Sequence, residues 1–515
     1  MSSQDRAVSR QPSAVSEEPA APGGTPHSAL RTPHSALLAV LLLLGLLLRL
    51  PGLGLLGTGD VRVWKVWANA ATTHGLTQAY PLAHQRPGVW PPLSFNSLDQ
   101  VRRGRITAGS NVYDHVSAPT DYPPGAVMVL WAVGGIYRAF FAPDFANSTP
   151  FNVLIKLPLV LADALAAWLI FAFVRKRAGP ERVGIAWAAA LAYWCNPTPI
   201  IAGPVLGYLD ALFGLPLVLA LGLLAAGRYA GGWAAWGTSL MLKLQALFVA
   251  PALALLSLRR GPARVAGYAA AALGTVFAFC APFLLRGTFV GVLAGIANNA
   301  QEDYLSANAC NLWWLWSYFW EWNAEGKGPG ALVRIVPISE ISDLHVADLN
   351  AWAVGLFAAF ILLTGLVWAA ARRGGAEPPG VADLFLVPLQ LYGATMLLPS
   401  IHENHLLAVL PLLALLGGLA AAGGKAGHAR QLVFLYVALS LEIALNLLLF
   451  YGFGKGTIAP IPRVAFGMDL TVLVAAANVL LFAATLAVWG VGLFDPRNTR
   501  KGTKGTKLLE AETES

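Results

Sequence analysis

Of the four aspartates in one polar stretch from Gly57 to Tyr122, Asp60 and Asp121 stand at its two ends, beside apolar segments almost empty of charge. The stretch opens GTGDVRVWKVWANAATTHG and closes TDYPPG. A positioned carboxylate can take the proton of an attacking hydroxyl. Asp60, the first carboxylate after the opening apolar run, is therefore the candidate catalytic residue. The same residue types also cap helices. Asp60 precedes an amphipathic run, with Val61, Trp64, Val66 and Trp67 apolar and Gly75 at its end, as an N-cap would. Asp121 stands before Tyr122-Pro123-Pro124, and proline suits a first helical turn. Capping and catalysis do not exclude one another.

The remaining polar residues in or beside apolar segments share a side. They are Lys156 and Asp163 early in the second span, Asp210 at the start of the fourth, Lys243 and Gln245 at a break, and the turn His402-Glu403-Asn404-His405. The loop 286–348 adds Glu302, Asp303, Asn311, Arg334 and the tryptophans Trp313, Trp314, Trp316, Trp320 and Trp322. Charge inside a membrane is costly and marks function. Blander roles exist for each: Lys156 can snorkel, Asp163 can pair with Lys156 or Lys243, and the tryptophans can form an interfacial belt. The His402–His405 turn is not HExxH and no further ligand follows at a metal spacing, so no metal is expected. Glu442 is a lone carboxylate in its apolar segment.

The elements that must position these residues are read from composition. Of 515 residues, 56% are hydrophobic and 12% charged, with mean hydropathy +0.59. Soluble domains carry about 25% charged residues, so the expected class is an all-α polytopic membrane protein. The apolar segments divide into about 11–13 crossings of ~20 residues each. Much of the net charge of +8 sits in short loops, as the positive-inside rule requires, and no nucleic-acid partner is expected. Cys195, Cys280 and Cys310 make no disulfide framework. Residues 1–35, with TPHSAL repeated at 25–30 and 32–37, read as a disordered tail.

Residues 36–285 read as a transmembrane module whose first outer loop is 57–150, with short amphipathic helices. Residues 286–348 form a second outer loop, 349–493 a C-terminal transmembrane module, and 494–515 a basic cytoplasmic tail. Within the first loop, Gly125 to Tyr137 is too short to cross roughly 30 Å and reads as re-entrant or interfacial. Segment 232–258 has Arg228 before it and Arg259-Arg260 after it, so it should enter and return as two half-helices meeting near Lys243-Leu244-Gln245; the rival is one tilted span with a loop misassigned elsewhere. Broken backbone at membrane depth must line protein or a watery cavity.

Six stretches in order carry a family likeness: the 57–81 stretch with TDYPPG, KLPLVLADALAAWLI, NPTPIIAGPVLGYLDALFG, LKLQALFVAP, SANACNLWWLW and SIHENHLLAVLPLLALL. Over about residues 36–450 the chain resembles GT-C-type membrane glycosyltransferases, nearest to bacterial proteins related to the GPI-anchor mannosyltransferases and dolichol-linked glucosyltransferases. The resemblance implies a GT-C-like bundle in the inner (plasma) membrane. It implies transfer of a sugar, mannose-like hexose favoured, from a polyprenyl-phosphate carrier to a glycan, lipid or protein acceptor on the extracytoplasmic face. Inversion and no cofactor go with it. Asp60 matches the family's acidic loop residue and would be the general base. Lys243, His402, His405 and Arg334 are available for the carrier phosphate, and Asp121, Tyr122, Asp163, Asp210, Gln245, Asn311, Trp313 and Glu403 for the acceptor and cavity walls. Asn404 departs from the arginine many relatives carry there. The rival class is a transporter or flippase of a lipid-linked saccharide, which would show repeated halves. None align.

Overall fold

The structure, a computed structural model, describes residues 33–80, 120–141, 148–299, 302–341, 346–371, 379–452 and 461–494. The tail up to residue 32 with the first TPHSAL copy, segment 81–119 of the first loop and the basic tail from 495 lie outside them; the second copy runs into the first helix, which starts at Pro33 and not at residue 36. The chain divides into Met1–Val40 and one compact unit, Leu41–Ser515. Among the described residues, five helices are long and apolar enough to cross a membrane: Thr149–Ala178, Pro262–Leu285, Asp348–Ala371, Ala426–Tyr451 and Leu470–Phe494. Shorter apolar helices pack among them. The architecture is all-α, as the composition implies.

Helix α1 (Pro33–Leu53) is a leucine run ending just past Pro51. The chain then turns at Gly57, φ +75°, where a Cβ would meet the Leu206 carbonyl oxygen at 2.6 Å. Only glycine tolerates both the backbone angle and that approach. Thr58 N–H donates to the same carbonyl at 2.9 Å, and α2 (Gly59–Thr73) starts. Thr58 is its N-cap and uses no side-chain bond. Asp60 is thus not the cap; it lies in the first helical turn, where the helix dipole favours a carboxylate. Nor does Asp121 cap α3 (Pro124–Phe140), whose N-cap is Pro123. Helix α3 spans about 25 Å at 1.5 Å per residue and lies against α2. A Cβ at Gly134 would sit 2.7 Å from the Ala68 carbonyl oxygen, so glycine sets how closely the two helices approach.

Helices α4 (Thr149–Ala178) and α5 (Val183–Trp194) follow. The apolar segment that α5 opens breaks at Asn196-Pro197. There Asn196 accepts from Thr198 N–H and a π-turn, Ile201–Leu206, leads on. Helices α6 (Asp210–Ala225) and α7 (Tyr229–Leu242) precede the expected break. It falls at Lys243, which is extended (φ −156°, ψ 132°). A 3-10 stretch, Leu244–Val249, and α8 (Ala250–Leu258) continue the chain. Trp236 Nε1 donates to the Ala246 carbonyl at 2.6 Å, satisfying backbone that the broken helix leaves open.

The loop expected over 286–348 is in large part helical. After α9 (Pro262–Leu285) it contains α10 (Phe289–Asn299) and α11 (Leu312–Glu325). Between them, strand β1 (Ser306–Ala307) pairs in parallel with β2 (Ile401–His402). The helices α12 (Val346–Ala371), α13 (Leu386–Leu397), α14 (Val409–Ala422), α15 (Ala426–Tyr451) and α16 (Leu470–Phe494) complete the described fold. Before α16, β3 (Val464–Ala465) and β4 (Met468–Asp469) form a hairpin. Its turn residues Phe466 and Gly467 both have positive φ, as a tight two-residue hairpin needs. Asp469 there accepts from Val333 N–H at 2.9 Å and Arg463 at 2.5 Å.

Two buried charges have structural partners that the sequence reading misassigned. Asp163 pairs with neither Lys156 nor Lys243. It accepts from Arg49 on α1 at 3.2 Å and from the Tyr193 hydroxyl at 2.6 Å. Arg49 also donates to the Trp194 carbonyl at 2.7 Å and stacks on that ring. Lys156 does not snorkel: fully buried, it donates to the carbonyls of Gly52, Leu55 and Val205 at 2.7–3.1 Å. The loop before Asp60 is thereby tied to α4. Removing one partner of a buried pair leaves an uncompensated charge, at about 3–5 kcal/mol. Asp163→Ala is therefore expected to lower the Tm of purified protein strongly. Asp163→Ala with Arg49→Met, which removes both charges, should recover most of that loss.

Candidate functional site

A cavity of about 550 Å³ gathers residues from distant parts of the chain. Helix α2 contributes Asp60, Trp64 and Trp67, whose spacing of four and three residues puts them on one helical face. Asp121 and Tyr122 close one side, and the Tyr122 ring lies 5.8 Å from Trp64 and 5.6 Å from Trp67. The break after α7 contributes Lys243 and Gln245, and the turn after β2 brings His402, Asn404 and His405. Leu247 and Val354 also line the cavity although 53% and 59% exposed. One edge of the cavity thus opens between apolar side chains on the outside of the bundle.

Asp60 makes no hydrogen bond or ion pair to any described residue. Burial raises its pKa, and the opposing charges of His402 and Lys243 only partly offset this. A raised pKa makes a carboxylate a better proton acceptor near neutrality. Asp121 is pushed up to about 7, first by burial and then by the charge of Glu302, and its Oδ1 has no hydrogen-bond partner.

Lys243 is not a solitary cation. It is 2.8 Å from Asp210 Oδ1, and Asn404 donates to Asp210 Oδ2 at 2.8 Å. Asp210 therefore lies behind the cavity wall, holding the lysine that faces it. Gln245 Nε2 meets His405 Nε2. With the amide nitrogen on that side, the ring nitrogen is the acceptor and His405 carries its proton on Nδ1, which has no partner.

Seven of the residues singled out from sequence thus share one cavity: Asp60, Asp121, Tyr122, Lys243, Gln245, His402 and His405. Six others do not line it. Arg334 contacts Glu321, Glu325 and Glu340 at 2.5–3.2 Å. Three carboxylates occupy its guanidinium, so it is no phosphate ligand here. Asp163 is spent on Arg49, and Asp210 on Lys243 and Asn404. Asn311 caps α11, accepting from Trp314 N–H at 3.0 Å and donating to the Thr395 carbonyl at 2.9 Å. Trp313 packs in an apolar cluster with Val336 and Leu349. Glu403, 3% exposed, accepts from the Tyr208 hydroxyl beneath the turn. Glu442 also lies off the cavity, buried, with neither carboxylate oxygen hydrogen-bonded.

Sequence reasoning assigned no site role to Trp64, Trp67, Asn404 or Glu302. The two tryptophans were within reach, because positions 60, 64 and 67 share a helix face. Glu302 was grouped from sequence with the outward polar residues, but nothing local pairs it with His402. Among the described residues no group of three or more His, Cys, Asp or Glu is arranged to hold a metal ion. No family model and no curated protein matches the chain.

Proposed function

We propose that this chain is an integral membrane glycosyltransferase that moves a sugar from a polyprenyl-phosphate carrier to an acceptor hydroxyl on the extracytoplasmic face. One observation carries the reading: an unpartnered carboxylate, Asp60, shares a cavity with Lys243 and His402, and that cavity opens at an apolar edge. A transferase of this class needs a base for the acceptor, cations for the leaving phosphate and lateral access for a lipid chain. The six ordered sequence stretches support the same class.

In the proposed reaction the acceptor oxygen attacks the anomeric carbon while Asp60 takes its proton. The bond from that carbon to the phosphate oxygen breaks, and the carrier leaves as polyprenyl phosphate with the bonding electrons. Attack opposite the leaving group inverts the anomeric centre. Lys243 and the His402 imidazolium stabilise the charge that develops on the phosphate. Trp64, Trp67 and Tyr122 offer apolar faces to the C–H side of a sugar ring.

The test is transfer of radiolabelled hexose from a synthetic polyprenyl-phosphate donor by purified protein in detergent. Sugar transport without transfer would favour the transporter class instead. The two titrating groups fix the expected pH dependence. Asp60 must be ionised, so the rate rises with pH through its raised pKa. His402 must be protonated, so the rate falls as pH passes about 9. The profile is a bell whose acid limb lies above the ordinary carboxylate range.

A further inference from the structure

The segment 302–308 is stapled along the turn that carries His402. Ser400 N–H donates to the carbonyls of Tyr304 and Leu305 at 3.2 and 3.1 Å, and its hydroxyl donates to those of Glu302 and Tyr304 at 3.1 and 2.9 Å. Ser306 and Ala307 pair with Ile401 and His402, and Asn308 bridges to His402. Ser400 and Asn308 hold φ of +56° and +62° without being glycine. Such local strain persists where surrounding contacts over-determine it, and it gathers at functional sites.

This staple puts two groups on the same ring nitrogen. The Tyr304 hydroxyl lies 3.2 Å and a Glu302 carboxylate oxygen 3.7 Å from His402 Nε2. His402 Nδ1 has no hydrogen-bond partner among the described residues, and the side chain is 42% exposed on the cavity wall. A carboxylate on one imidazole nitrogen fixes the ring and favours its cation, leaving the other N–H to work.

We propose that Glu302 is a positioning residue: from segment 302–308 it orients His402 and keeps it cationic, so that Nδ1–H meets the carrier phosphate. This rests on the reading of the cavity as a carrier-phosphate site. The other groups facing His402 are Tyr304 beside Glu302, Glu403 and His405 on its own turn, Asp60 on α2, Asp121 before α3 and Lys243 at the break. Burial alone would lower the His402 pKa, but Glu302, Glu403 and Asp60 outweigh it and hold it near 9. Removing Glu302 takes away the largest of the raising contributions. Between the ordinary value of 6.5 and about 9, the ring should then lose its charge.

Two measurements on full-length protein in detergent test this. In the first, imidazole NMR of labelled histidine, assigned by loss of the signal in His402→Asn, follows the ring in parent and Glu302→Gln. The midpoint is expected near 9 in the parent and displaced toward 6.5 in Glu302→Gln. A parental midpoint at the ordinary value, or one that Glu302→Gln does not move, overturns the proposal. The second is the affinity for undecaprenyl phosphate. At about pH 8 Glu302→Gln should bind roughly tenfold more weakly than the parent, and at about pH 5.5 nearly as well, because the ring is then protonated in both. Glu302→Asp should recover part of the loss. An equal loss at both pH values marks a merely structural residue and overturns the proposal. If Glu302→Gln does not fold, Glu302→Asp decides: its shorter side chain must displace the His402 midpoint from near 9 toward 6.5, and an unmoved midpoint overturns the proposal. Failure of the functional reading looks different, because the parent would then not bind undecaprenyl phosphate at any pH while the NMR midpoint stayed near 9.

Discussion

Asp60→Asn is expected to abolish most sugar transfer while leaving the protein folded and able to bind the carrier. The loss should be about 10²-fold or more in kcat, the scale of a removed general base. Asparagine keeps the shape of the side chain but cannot accept the acceptor's proton. The competing role, a helix cap, is already answered by geometry, since Thr58 is the N-cap of α2 and Asp60 sits one residue inside the helix. What remains structural is the dipole contribution of a first-turn carboxylate, about 0.3–1 kcal/mol. Burial acts against it. A carboxylate whose folded pKa is raised binds its proton more tightly when folded, so its contribution falls as pH rises through the shifted range. Neutral asparagine removes that liability, and the Tm above neutrality should be unchanged or slightly higher. Transfer and Tm measured on the same preparation decide it. Near-parental turnover in Asp60→Asn would remove Asp60 from the chemistry, and Asp121 would be the next carboxylate to substitute.

What was legible in the sequence had a local cause. The break at Lys243 follows from Arg228 and Arg259-Arg260 flanking an apolar segment, and the chain is extended at that residue. The apolar run Gly125 to Tyr137 does form a helix, although α3 extends it to 17 residues, and the shared face of Asp60, Trp64 and Trp67 follows from helical spacing. The pairings were not legible, because nothing local encodes which distant partner a buried charge takes. Arg49 meets Asp163 across 114 residues and Lys243 meets Asp210 across 33. Asp163 was paired from sequence with the wrong lysines and Arg334 was offered to the carrier phosphate, yet Asp163 is held by Arg49 and Arg334 by Glu321, Glu325 and Glu340. The β1–β2 pairing involves two residues on each side, too few to leave a period-2 pattern. Yet it joins Ser306–Ala307 to Ile401–His402 and so brings Glu302 to His402. Charge in an apolar segment marked the right neighbourhood, but which charges face the cavity is decided by the pairs behind its wall.

Lys243 shows how that distinction shapes an experiment. Lys243→Ala is expected to weaken carrier binding by roughly tenfold or more, since a charge-assisted bond to phosphate contributes about 1.5–3 kcal/mol. The single substitution cannot be read alone. It strips Asp210 of its cation, and with Asp210 2% exposed the uncompensated charge should cost about 3–5 kcal/mol of stability. Weak binding by a half-folded preparation would look the same. Lys243→Met with Asp210→Asn removes both charges at similar volume, and Asn404 can still donate to the new amide oxygen. This double variant should recover most of the lost Tm, because a buried ion pair adds little net stability over a neutral replacement. Carrier binding should not recover with it, since no cation is restored to the cavity. Equilibrium binding of undecaprenyl phosphate and the Tm, measured on parent, single and double variants, separate the two effects. Binding that returns along with stability would show that Lys243 serves only the fold, leaving His402 as the cation for the phosphate.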